Sequence, residues 1–138
     1  MSPEAIFGPV CALAILTGCV VLMVGVVRIR AGMAGRLPKG AFRVGEAPDV
    51  PEDVRVWNRN LMNLLEMPQL FYVVSVALYV THHVTPHLVK MAWIYVGLRA
   101  AHSFIHLTSN RVLVRLVPFA LSNFVLLSIW IAFARLLV

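Results

Sequence analysis

Met62–Val80 reads MNLLEMPQLFYVVSVALYV, nineteen residues that contain one carboxylate, Glu66, and no basic side chain. As a helix this run is about 28 Å long, close to the hydrocarbon thickness of a bilayer. A lone charge at that depth is costly, so it faces protein or water and finds a partner. Arg59 and Asn63 precede Glu66 on the same predicted helix, and Arg99 and His102 lie in the next apolar run. Such a polar set is either a clamp between helices or a binding site.

The rest of the chain agrees with a membrane setting. Of its 138 residues 60% are hydrophobic and only 13% charged, where a soluble domain has about 45–50% and about 25%. The mean hydropathy is +0.84. The expected fold class is therefore all-α: one integral-membrane four-helix bundle. The net charge of +6 reports topology and anionic lipid in such a protein, not nucleic acid. Cys11 and Cys19 are eight residues apart on one helix, too far to bridge each other, and are expected as small buried packing residues.

Four spans are predicted, over about 6–27, 53–80, 87–108 and 113–137, with a Gly- and Pro-rich loop over about 31–52. Arg28, Arg30, Arg36, Lys39, Arg43 and Arg55 gather at that loop, and Arg111 and Arg115 at the turn after the third span. By the excess of basic residues in cytoplasmic loops, the long loop is expected inside and both termini outside.

Polar residues fall on narrow helical faces. At about 100° per residue, Arg55, Arg59, Asn63 and Glu66 lie within roughly 80° of one another on the second span. Arg99, His102 and His106 share a face of the third span, bordered by Ser103, and Arg115, Phe119 and Ser122 share one on the fourth. Guanidinium groups outnumber the single intramembrane acid. An excess of this kind suits a carboxylate, a phosphate or a thiolate. His102 and His106 are spaced i, i+4, but a zinc site needs a third protein ligand and none is near in sequence, so no metal is expected. Phosphate-binding glycine loops, nucleophile elbows and C-x-x-C pairs are all missing from the sequence.

Val27-Arg28-Ile29-Arg30, Pro48-Asp49-Val50, Arg59-x3-Asn63-x2-Glu66, Pro68-x2-Phe71, Arg99-x2-His102 and Arg115-Leu116-Val117-Pro118 occur in that order. Together they resemble the MAPEG family, membrane-associated proteins in eicosanoid and glutathione metabolism. The resemblance implies a homotrimer in which glutathione lies between neighbouring subunits on the cytoplasmic side. It also implies a second, lipophilic substrate arriving from the bilayer. Carried over residue by residue, Arg28, Arg59, Asn63, Glu66 and His102 are candidate glutathione-binding residues, to which the polar face of the third span adds Arg99 and His106. Arg115 matches the arginine assigned to thiolate stabilisation.

The chain departs from the family pattern at His106, where glutathione-using members commonly carry tyrosine. It departs again at Leu116 and Phe119, where one branch carries serine and tyrosine. Two functions are therefore expected as alternatives. The first is a glutathione-dependent transferase or peroxidase acting on a lipophilic electrophile. The second is a non-catalytic scaffold, or an accessory subunit of a larger membrane complex, with the same fold.

Overall fold

Pro3 opens the first helical turn, where its fixed φ and missing N–H cost nothing. A 3-10 turn over Pro3–Ile6 passes straight into α1, Phe7–Met33. In this computed structural model, which describes residues 2–43 and 45–137, the chain continues with α2 (Glu52–Glu66), α3 (Pro68–Val80), α4 (Pro86–Thr108) and α5 (Val112–Leu136). No strand is present among the described residues. α2 and α3 follow one another along a single rod, so the architecture is a four-helix bundle, as expected.

Two boundaries differ from the sequence expectation. α1 runs on to Met33 instead of ending near Val27, because its last turns have a core of their own to pack on. Ala31 is buried with Ala41, Val50 and Val54, flanked by Leu37, Phe42 and Ala47 of the loop. The long loop is thus a small folded lobe rather than a slack connection. Its surface carries the Arg36–Asp53 ion pair at 2.9 Å, exposed and of little energetic weight. The second difference is in the rod. The expected single helix over 53–80 is interrupted at Met67, because Pro68 has no N–H for the carbonyl of Leu64. A turn bond from Leu70 N–H to the Met67 carbonyl carries the chain across.

The main core is apolar and continuous. Leu13 of α1, Phe71, Val74 and Leu78 of α3, and Tyr95 of α4 have no exposed surface. Phe71 stacks on Tyr95 with ring centroids 4.7 Å apart, and Phe7 meets Tyr79 edge-on at 4.8 Å. α1 and α4 touch near their N-termini at Gly8, where a Cβ would lie 3.2 Å from the Trp93 ring. The outside is apolar too: Leu22 is 72% exposed, Phe104 69%, Phe124 68% and Leu113 80%. A soluble monomer rarely shows so much apolar surface. α1 with its leading turn, the α2–α3 rod and α5 are each long and apolar enough to cross a membrane. α4 is not among these because Lys90, Arg99, His102 and His106 dilute it. The protein is an integral membrane protein.

Cys11 and Cys19 are both free and exposed, not buried as expected. They sit on the outward face of α1, where lipid or a neighbouring protein satisfies a small apolar side chain as well as a core does.

Two substitutions separate the interior from the lipid-facing surface. Phe71→Ala should lower stability by about 3–5 kcal/mol, whereas Phe124→Ala should change it by less than about 0.5 kcal/mol. Reversible unfolding in mixed micelles measures both. Equal losses would mean that the observed packing is not the one that holds the bundle.

Candidate functional site

The polar stripe of α4 faces inward. Arg99 is 0% exposed, His102 4%, Ser103 2% and His106 2%. Because α4 presents these groups to the interior, α2 and α5 must supply what they bond to. Asn60 of α2, also 0% exposed, donates from Nδ2 to Ser103 Oγ at 2.6 Å. The Arg99 guanidinium donates through Nη2 to the backbone carbonyl of Asn63, in the last turn of α2 before the Pro68 break. The His102 ring nitrogen Nδ1 lies 2.9 Å from the backbone carbonyl of Arg115, and because a carbonyl only accepts, Nδ1 carries the proton of that bond.

Much of the hydrogen-bonding capacity of this cluster is unused. Arg99 Nε and Nη1, His102 Nε2, both ring nitrogens of His106 and the Tyr95 hydroxyl are buried without a partner among the described residues. Buried polar groups are normally satisfied. A cluster left open on this scale, with a guanidinium at its centre, is the environment that a polar or anionic guest completes.

Arg115 is placed by the turn between α4 and α5. Asn110 adopts a left-handed backbone with φ 46°, which asparagine tolerates well. From there its Oδ1 accepts from Arg115 Nη1 at 2.7 Å. One of the five guanidinium N–H donors is thereby engaged, and the group is held in place. Asn63, His102, Val112, Arg115, Leu116 and Phe119 line a cavity of about 180 Å³ between α2, α4 and α5. Phe119 forms one wall, its ring 5.5 Å from that of His102 and 5.7 Å from the Arg99 guanidinium carbon.

The candidate residues therefore fall into three groups. Asn63, Arg99, His102, His106 and Arg115 converge on one interior region. Arg59 and Glu66 share the exposed side of α2, and Glu66 makes no side-chain hydrogen bond or ion pair among the described residues. A clamp between Glu66 and the arginines of the same chain is therefore not formed. Arg28 lies elsewhere, committed to the loop lobe. It donates to Asn58 Oδ1 at 3.1 Å, faces Glu46 at 3.8 Å and stands 4.2 Å over the Phe42 ring. Ser122, expected on the α5 stripe, turns back to the Phe119 carbonyl of its own helix.

The MAPEG family model matches residues 6–135, nearly the whole chain. This chain belongs to the MAPEG family. No curated protein and no solved structure matches it. Membership makes it a membrane protein of the glutathione and eicosanoid group, and its departures from the family pattern can now be located. Leu116 and Phe119 both line the cavity, and His106 is buried beside His102 at 5.7 Å between rings.

Sequence reading alone did not reach Asn60, Asn110 or Tyr95. Asn60 lies one turn before Leu64, which puts it on the buried side of α2. Tyr95, Arg99, His102 and His106 recur at i, i+4, i+7 and i+11, and that spacing could have brought Tyr95 into the set.

If the Arg99 charge serves a guest and not the fold, Arg99→Met should leave stability without ligand within about 1.5 kcal/mol of the parent. An apolar side chain of similar length replaces a buried, half-satisfied charge at little cost, and the one bond lost is worth about 1 kcal/mol. Thermal unfolding in detergent is the measurement, and a loss of 3 kcal/mol or more would make Arg99 a structural tie.

Proposed function

We propose that this protein is a glutathione-dependent membrane enzyme, a transferase or peroxidase, acting on a lipophilic electrophile. The observation that carries the reading is the cavity where Arg115, His102 and Asn63 meet, backed by the open donors of Arg99. Glutathione supplies the sulfur nucleophile, so the protein needs none of its own. Arg115 lies at the cavity wall, and a guanidinium there favours thiolate over thiol. Asn110 keeps it from swinging away. Arg99, His102, His106 and Asn63 offer donors and acceptors for the carboxylates and amides of the tripeptide.

Size supports a site shared between copies. A volume of about 180 Å³ is below the roughly 300–1,000 Å³ of ordinary small-molecule sites, so one chain supplies part of a site. The exposed Glu66 and Arg59 supply the complementary part. A carboxylate cannot be left facing lipid at that depth, and in a homotrimer it would face the neighbouring subunit and the ammonium of the tripeptide. By the excess of basic residues in the loop lobe, this end of the bundle would lie on the cytoplasmic side, with the termini outside. The lipophilic partner substrate enters from the bilayer. Arg28, bound into the lobe, shapes that end of the bundle instead of holding the ligand.

The second reading, a scaffold or an accessory subunit without activity, is favoured by the apolar Leu116 and Phe119 in the cavity wall. The two readings part on simple measurements. With glutathione, the purified protein should show a thiolate absorbance band near the ultraviolet edge, and Arg115→Ala should lose it. A protein with no glutathione affinity at millimolar concentration supports the scaffold. Glu66→Gln should assemble like the parent and bind glutathione on the order of tenfold more weakly, the effect of one charge-assisted bond. Loss of assembly in that variant, with no ligand present, would assign Glu66 to structure.

A further inference from the structure

A second groove lies away from the polar cavity. Leu16, Cys19, Val20 and Met23 of α1, Trp57 of α2, and Ala100, Ser103, Phe104 and Leu107 of α4 line an open, almost wholly apolar channel of about 440 Å³. α1 and α4 run parallel here: Gly8 meets Trp93 near their N-termini, and the groove follows further along both. It is therefore a trough that runs along the bilayer normal toward the basic end of the bundle. Trp57 stands near the start of α2, at that same end, where amphipathic rings mark the membrane interface.

The face of α1 that forms the trough continues at i, i+3, i+4 and i+7 from Met23 to Arg30, about 10 Å further along the axis. Arg30 is exposed, and its side chain has no hydrogen bond or ion pair among the described residues. Past Leu107 the α4 wall ends at Thr108, and Arg111, in the turn to α5, is exposed and likewise unpaired among the described residues. Apart from Ser103, whose hydroxyl is taken by Asn60, the trough is lined by apolar side chains and the Trp57 ring, so its chemistry is that of a chain with a negative head: a hydrocarbon tail along Leu16–Met23 and a phosphate at Arg30.

We propose that this trough is a binding site for an anionic phospholipid, one acyl chain lying between α1 and α4 and the phosphate held by Arg30. A zwitterionic lipid fills the trough equally well, but its own ammonium offsets the attraction of the arginine. The occupant does not take part in the chemistry at Arg115. It covers an apolar seam and ties α1 to α4 at the height of the lobe.

Photoactivatable phosphatidylglycerol and phosphatidylcholine, each with a diazirine at mid-chain, provide the test in the full-length protein in phosphatidylcholine membranes. Cross-links mapped by mass spectrometry should concentrate on Met23 and Phe104 for phosphatidylglycerol. The preference over phosphatidylcholine should be about fivefold, the effect of one basic residue near the surface. Arg30→Gln should remove the preference and keep the cross-links. Ala100→Phe, which fills the trough, should remove cross-links at Met23 while leaving those at Phe124 on the lipid face of α5 unchanged. Equal labelling by both lipids overturns the proposal. So does an unlabelled trough in an oligomer, which would mean that a second copy covers it.

Discussion

A guanidinium with no exposed surface lies among apolar helices, and the interior is arranged around it. Among the described residues Arg99 makes one hydrogen bond, to the backbone of Asn63, and two of its nitrogens have no partner. An isolated charge in such a place is unfavourable by several kcal/mol, so the helices near it supply polarity where they can. α2 offers a carbonyl next to the Pro68 break, α4 offers Tyr95, His102 and His106, and α5 offers the backbone of Arg115 to His102. The packing of Phe71 on Tyr95 and of Leu13, Val74 and Leu78 around them gives the bundle the stability to hold this open cluster.

The same constraint relates fold to function. A protein selected for stability alone would replace Arg99 by a hydrophobic residue, and would not leave Glu66 on the outside of a membrane helix. Both features make sense when the unit of function is larger than one chain. On the proposed function, the interior cluster would receive the anionic parts of glutathione, and Glu66 and Arg59 of a neighbouring copy would meet the rest. Arg28, by contrast, has its cation–π contact with Phe42 and its bond to Asn58, and belongs to the folded lobe that closes the basic end of the bundle.

The bundle itself was legible in the sequence because lipid enforces long apolar runs, and the spans over about 6–27, 53–80 and 113–137 could be read as such. The inward face of α4 was legible from helical periodicity, since Arg99, His102 and His106 recur on one side. Other features depended on chain geometry that periodicity does not carry. The break at Met67 follows from Pro68, but whether a proline kinks or ends a helix depends on packing. The left-handed Asn110 follows from the tertiary fit of a three-residue turn. The stripe of α2 was legible as a run of polar residues, yet the structure divides it, with Asn63 lining the cavity and Arg59 and Glu66 exposed, because the buried Asn60 and Leu64 set the rotation of the helix. Burial of the cysteines was misjudged because small apolar residues are as stable against lipid as against protein.

The most direct measurement is a high-resolution structure of the purified assembly with glutathione at millimolar concentration. The account predicts density between neighbouring copies, beside Arg115, His102 and Arg99 of one and Glu66 and Arg59 of the next. An assembly in which the Arg99 and His106 nitrogens are satisfied by water alone, with Leu116 and Phe119 closing the cavity and no density for the tripeptide, would contradict it.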